Sequence, residues 1–282
     1  MVGFGSDSAE TTLVLVHGFT LSSRAWYFQV EHLRQEEGLR ILVPDLRGHG
    51  GSTTGQELSV DATARDLCSI IRECAPRGRL VLAGHSLGVM TILAALRSMP
   101  SEDRERIAGI ALVNGAINTF ASAGITSVLK SLPVKAMRWT GKQVPDRYRR
   151  LKRATDALVA PIIAMFVYHG ALEQGESNDY DIVGYHTQEI IDTSMGTILG
   201  FLDDLVNHDE TAAAPYLHGF PGVVMVGVDD NVTPASQTRA IAQVWGAAER
   251  AECPNAGHML PVECPEKVNR ELRRLVKAAS SR

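Results

Sequence analysis

The chain has 282 residues, with 28 Lys and Arg against 32 Asp and Glu and a formal charge of −4. There is no basic surplus of the kind a nucleic-acid surface requires, so no nucleic-acid partner is expected. Hydrophobic residues at 45% and charged residues at 21% exclude a disordered chain; the length suits one large α/β domain with an insertion, or two small domains.

In chain order, the opening residues MVGFGSDSAE carry neither the charged nor the apolar segment of an export signal. No apolar run downstream reaches the ~20 residues of a membrane span. A cytoplasmic protein without a membrane span is therefore expected. The first apolar run, 13–16, reads as a strand and leads into His17-Gly18-Phe19. A second, 41–43, precedes the loop DLRGHGGS at 45–52. Val60, Ala64, Leu67, Ile71 and Cys74 recur at helical spacing, which predicts a helix over 60–74 with Asp61 as its N-cap. A strand at 80–83 runs into Gly84-His85-Ser86-Leu87-Gly88, and a helix follows through Ile92, Leu93, Leu96 and Arg97, ending near Pro100. Further strands are predicted at 110–113, 223–226 and, more weakly, 248–253, and a last helix from Pro265 to about 279. These runs are continuous rather than alternating, as in strands covered on both faces. Their alternation with helices predicts an α/β fold around a mostly parallel sheet flanked by helices.

Residues 117–217 break the rhythm. They contain no convincing strand and read as helices over 120–131, 134–140, 146–169 and 186–208. The expected organisation is a core from 1–116 and 218–282 with a helical cap inserted at 117–217. The cap's apolar side chains, among them Trp139, Met165 and Phe166, are expected to line a largely apolar substrate pocket together with Met259. The basic run Arg147, Arg149, Arg150, Lys152 and Arg153 reads as a solvated helix face, with attraction of an anionic substrate as the other reading. Cys68, Cys74, Cys253 and Cys264 have no CxxC spacing, which argues against zinc and for reduced, packing thiols.

The chemistry concentrates in four loops. G-x-S-x-G between a strand and a helix holds a serine hydroxyl above the sheet, which makes Ser86 the candidate nucleophile. A tetrahedral intermediate needs two preorganised N–H donors; the amide of Leu87, after the serine, and that of Phe19, in the earlier loop, are the candidates. His17 is read as holding its loop. Asp229-Asp230 follows the strand at 223–226, where a carboxylate can fix a histidine tautomer; Asp230 is preferred and Asp229 is the alternative. Asn255-Ala256-Gly257-His258 follows the last strand, and His258 is the candidate general base.

Taken together, HGF, DLRGHGGS, GHSLG, GVDDNVTP and NAGHM, in this order and covering nearly the whole chain, resemble the α/β-hydrolase superfamily. The resemblance implies nucleophile Ser86, acid Asp230, base His258 and oxyanion amides at Phe19 and Leu87, with no metal or cofactor. It also implies that residues 45–52 are structural and border the site. Relatives usually have two more strands before the HGF loop, so the N-terminal sheet edge is expected to be reduced. Relatives that are epoxide hydrolases or haloalkane dehalogenases carry Asp where Ser86 stands. The expected activity is hydrolysis of a carboxylic ester of a small, largely apolar compound through an acyl-enzyme. Thioester, lactone and carbon–carbon bond hydrolysis, and cofactor-independent oxygenase or perhydrolase chemistry, are the alternatives. Substrate identity and oligomeric state are not encoded legibly.

Overall fold

The computed structural model describes residues 1–118, 188–190 and 192–281. The helices expected over 120–131, 134–140 and 146–169, the basic run, and Trp139, Met165 and Phe166 lie outside the described residues.

Seven strands form one sheet: β1 (Val2–Phe4), β2 (Thr11–Val16), β3 (Leu39–Val43), β4 (Arg79–His85), β5 (Ile107–Val113), β6 (Gly222–Gly227) and β7 (Ala248–Cys253). Their order is β1-β3-β2-β4-β5-β6-β7. Every pairing is parallel except that of β1 with β3. All six strands expected from the apolar runs are present. β1 is an addition, a three-residue antiparallel edge beside β3.

The main helices are α1 (Tyr27–Leu33), α2 (Val60–Cys74), α3 (Leu87–Ser98), α4 (Met195–Val206), α5 (Ala235–Val244) and α6 (Pro265–Ser280). The period-2 geometry of a strand sends neighbouring side chains to opposite faces. In β2, Val14 and Val16 join a core with α2, α3 and α5, whereas Leu13 and Leu15 join a second core with α1 and α6. All four are fully buried. This double burial explains why the strands read as unbroken apolar runs.

Two local expectations need correction. Ser59, not Asp61, caps α2: its hydroxyl accepts the Ala62 N–H at 3.0 Å while its backbone is extended. Asp61 lies in the first turn and pairs with Arg97. The helix expected over 186–208 is interrupted, because extended Ser194 ends one segment and caps α4 through the Thr197 N–H. Serine competes for main-chain donors at such points and so favours a helix start over a helix interior.

From β2 the chain crosses one way to β3 and then the other way to β4, β5, β6 and β7. The sheet order therefore reverses between β2 and β4. Loops leaving the carboxyl ends of the strands at such a reversal are the position at which α/β sheets hold their ligands.

Candidate active site

Ser86 stands between β4 and α3 with φ 52° and ψ −113°. A left-handed non-glycine residue at this place stores strain that the flanking structure must hold. Two close approaches demand glycine beside it. A Cβ on Gly88 would stand 2.1 Å from the Val16 carbonyl oxygen, and one on Gly84 would stand 2.6 Å from the Gly88 main chain. The turn is pinned further by the Ser86 N–H, which donates to the Val113 carbonyl at 3.0 Å.

His258, on the loop after β7, reaches this turn. The Ser86 hydroxyl and His258 Nε2 are 2.9 Å apart, and His258 Nδ1 is 2.9 Å from Asp230 Oδ2. All three side chains are buried. With Nδ1–H donating to the carboxylate, Nε2 is the free acceptor for the serine proton. Asp229 lies half-buried on the neighbouring turn; the hydrogen bonds to His258 and to Asn114 belong to Asp230.

Asp230 is held from four directions. Oδ1 accepts the N–H groups of Val232 and Thr233 at 2.8 and 2.9 Å. Oδ2 accepts Asn114 Nδ2 at 2.5 Å as well as the histidine, and the Thr233 hydroxyl lies 2.9 Å from it. Burial opposes ionisation of this carboxyl, but the His258 charge and these hydrogen bonds outweigh it and hold Asp230 below the ordinary carboxylate range. The Asn114 amide also donates to the Gly257 carbonyl at 3.1 Å, so one side chain spans the acid and the histidine loop. Glu263 accepts the Gly257 and Met259 N–H groups at 2.7 and 2.8 Å, fastening the main chain on both sides of His258. Met259 itself is buried.

The loop after β2 lies beside Ser86. His17 Nδ1–H donates to the Gly18 carbonyl at 2.8 Å, and its Nε2 accepts the Leu46 N–H at 2.9 Å. Both ring nitrogens are thus committed to joining the HGF loop to the loop at 45–52. Burial, aided by repulsion from His49, lowers the His17 pKa to about 3. The Phe19 ring meets the His49 and Phe201 rings edge-on, at 5.6 and 5.9 Å between centroids. Asp45 accepts the Ser23 and Gly51 N–H groups, and Arg47 is bidentate to Asp66, so the 45–52 loop is held by structural contacts on the site's border. The Leu87 amide opens α3, where main-chain N–H groups have no helical partner and the helix dipole favours negative charge.

His85 closes the back of the site. Its Nε2–H donates to the His258 carbonyl at 2.8 Å, and burial together with His258 lowers its pKa to about 3. Asn114, Glu263, Thr233 and His85 had no assigned role in the sequence reading. For Asn114 a signal existed: it is a polar residue at the carboxyl end of a strand, on the rim that carries the other site residues. Glu263 offered none, because its role depends on how the turn of helix Leu260–Glu263 folds back. Among the described residues no group of His, Cys, Asp and Glu is arranged to hold a metal ion, and no helix is long and apolar enough to cross a membrane.

Residues 13–271 match the model of the alpha/beta hydrolase family. The acetyltransferase component of the acetoin cleaving system of Pseudomonas putida is 26% identical over 267 residues, 93% of this chain and 62% of that relative. The (E)-2-((N-methylformamido)methylene)succinate hydrolase of Acinetobacter baylyi is 25% identical over 92% of this chain and 88% of its own length. The chain spans only 62% of the Pseudomonas relative and 55% of bovine Protein ABHD8, which it matches at 23% identity. Among solved structures, a thermophilic esterase from Thermogutta terrifontis superposes with a TM-score of 0.75 at 22% identity, covering 99% of this chain and 92% of that one.

Proposed function

The chain belongs to the alpha/beta hydrolase family, and from that premise we propose that it is a serine esterase, cleaving a carboxylic ester of a small, largely apolar compound. The observation that carries this reading is the unbroken hydrogen-bonded line from the Ser86 hydroxyl through His258 to Asp230.

In this mechanism His258 Nε2 takes the Ser86 proton as the hydroxyl attacks the ester carbonyl. Asp230 keeps the Nδ1–H tautomer and stabilises the imidazolium. The amides of Phe19 and Leu87 receive the developing oxyanion. His258 returns its proton to the leaving alcohol, an acyl-Ser86 remains, and water activated by the same imidazole releases the acid. The reading assigns substrate choice to the 117–217 insertion and Met259. The partly buried Phe19 ring, in the loop beside Ser86 and packed on Phe201, is in keeping with an apolar preference. The likeness to the Thermogutta esterase is in keeping with an ester substrate.

The test is a panel of nitrophenyl esters of rising acyl length, with a thioester, a lactone and a peroxide-dependent assay alongside, each run against Ser86→Ala. Ester turnover lost in the variant supports the reading. Equal rates for both proteins on every substrate overturn it. Turnover confined to the thioester, the lactone or the peroxide assay replaces the ester with that class.

A further inference from the structure

The chain turns sharply soon after β2. Gly18, Phe19, Thr20 and Leu21 close a four-residue turn in which the Leu21 N–H donates to the Gly18 carbonyl at 3.3 Å. Thr20 has φ 61°, and Phe19 is not left-handed. A turn whose third residue alone is left-handed is of type II, and that position ordinarily belongs to glycine or asparagine. A β-branched side chain there is an outlier, kept only where its surroundings compel it. The turn also lies against the nucleophile: a Cβ on Gly18 would stand 3.2 Å from the Ser86 Cβ. We propose that Thr20 is a positioning residue for the oxyanion, setting the direction of the Phe19 N–H; this rests on the reading of Ser86 as the acyl-accepting nucleophile.

The link runs through one peptide plane. The Gly18 carbonyl and the Phe19 N–H belong to the same trans peptide, so they point in opposite directions. That carbonyl accepts His17 Nδ1–H at 2.8 Å as well as the Leu21 N–H. Fixing the carbonyl fixes the N–H, which has no acceptor among the described residues. His17 alone would leave the plane free to tilt about a single hydrogen bond. The turn supplies the second donor, and the left-handed backbone of Thr20 makes the turn.

Thr20 is itself held on both sides. Its Oγ1–H donates to the Phe19 carbonyl at 2.6 Å, which ties down the next peptide plane. The Thr193 hydroxyl, shared with the Glu189 carbonyl at 2.9 Å, reaches the Thr20 carbonyl at 3.2 Å. Just beyond the turn, the Ser22 hydroxyl donates to the Glu189 carboxylate and the Ser23 N–H donates to Asp45 at 2.7 Å.

The experiment compares wild type with Thr20→Gly, Thr20→Val and Thr20→Ser in two measurements. One is turnover of the best acyl substrate of the panel. The other is inhibition by a trifluoromethyl ketone, whose carbonyl takes up the Ser86 hydroxyl to form a tetrahedral oxyanion. Glycine accepts a left-handed turn without strain but lacks the hydroxyl. Thr20→Gly should hold the thermal midpoint within about 2 °C. It should nevertheless lose about tenfold in kcat with KM within about twofold, and its Ki for the ketone should rise by the same factor. Thr20→Val keeps the branched strain without the hydroxyl and should lose up to ~10²-fold. Thr20→Ser retains the hydroxyl and should stay within about threefold of wild type. A residue that only stabilised the fold would lose midpoint and activity together. Unchanged kcat and Ki in Thr20→Gly, a change confined to KM, or a Thr20→Ser as slow as Thr20→Val would each overturn the proposal and leave the esterase reading standing. A wild type that turns over no acyl substrate and forms no ketone adduct overturns both.

Discussion

Glu263 holds His258 without touching its ring: the two oxygens of one carboxylate take the N–H groups of Gly257 and Met259, the residues on either side of the histidine. Replacing it by Ala should let the imidazole drift from Ser86. Displacements near 1 Å cost up to ~10²-fold in rate, so ester kcat should fall by about one to two orders of magnitude with KM little changed. Glu263→Gln keeps one acceptor oxygen and should recover part of the loss. Steady-state kinetics on a nitrophenyl ester measure both.

Asp230 and the adjacent Asp229 give an internal control. Asp230 is buried with its oxygens on His258, Asn114, Val232 and Thr233. Asp230→Asn should lower kcat by ~10⁴-fold, since the amide favours the wrong histidine tautomer. Asp229→Asn should stay within about twofold of wild type. Equal losses in the two variants would contradict the assignment of the acid.

Acid should destabilise the fold through its neutral histidines. The folded-state pKa values of His17 and His85 are both lowered from 6.5 to about 3 by burial. The unfolded chain therefore binds these protons first. The stability they contribute is complete above the unfolded value near 6.5 and is lost as pH falls towards about 3. With both groups titrating, the slope in this window reaches ~2.7 kcal/mol per pH unit at most. Urea unfolding between about pH 7 and pH 4.5 should record the decline, and His17→Gln should reduce its slope by at most ~1.4 kcal/mol per pH unit.

Gly88→Ala places a methyl group 2.1 Å from the Val16 carbonyl oxygen, against strand backbone that cannot swing aside. The variant should lose ~3 kcal/mol of stability and most of its activity, because β2 leads directly into His17 and Phe19. The denaturant midpoint, at unchanged m-value, reads the first effect.

Much of the fold could be read in advance because its strands are buried on both faces. Val14 and Leu15 serve different cores, yet both must be apolar, so β2 stands out as a block. β1 escaped because three residues, one of them glycine and two exposed, carry no pattern of their own; β3 supplies the pairing. The α2 cap was misassigned by two positions because Asp and Ser are both good caps, and only the backbone turn decides between them. The elbow around Ser86 was legible because the packing there admits only small residues, and small residues leave a motif. The supports of the site were not. Asn114 could be placed on the rim, but its meeting with Asp230, 116 positions away, and the contacts of Glu263 and His85 are set by the tertiary fold, and no local pattern encodes them.

The central claim concerns the reactivity of one hydroxyl. A fluorophosphonate added to the folded protein should form a single covalent adduct, and peptide mass spectrometry should locate it on Ser86. His258→Ala should slow the labelling by several orders of magnitude. An unlabelled folded protein, or an adduct on a different residue, would contradict the account.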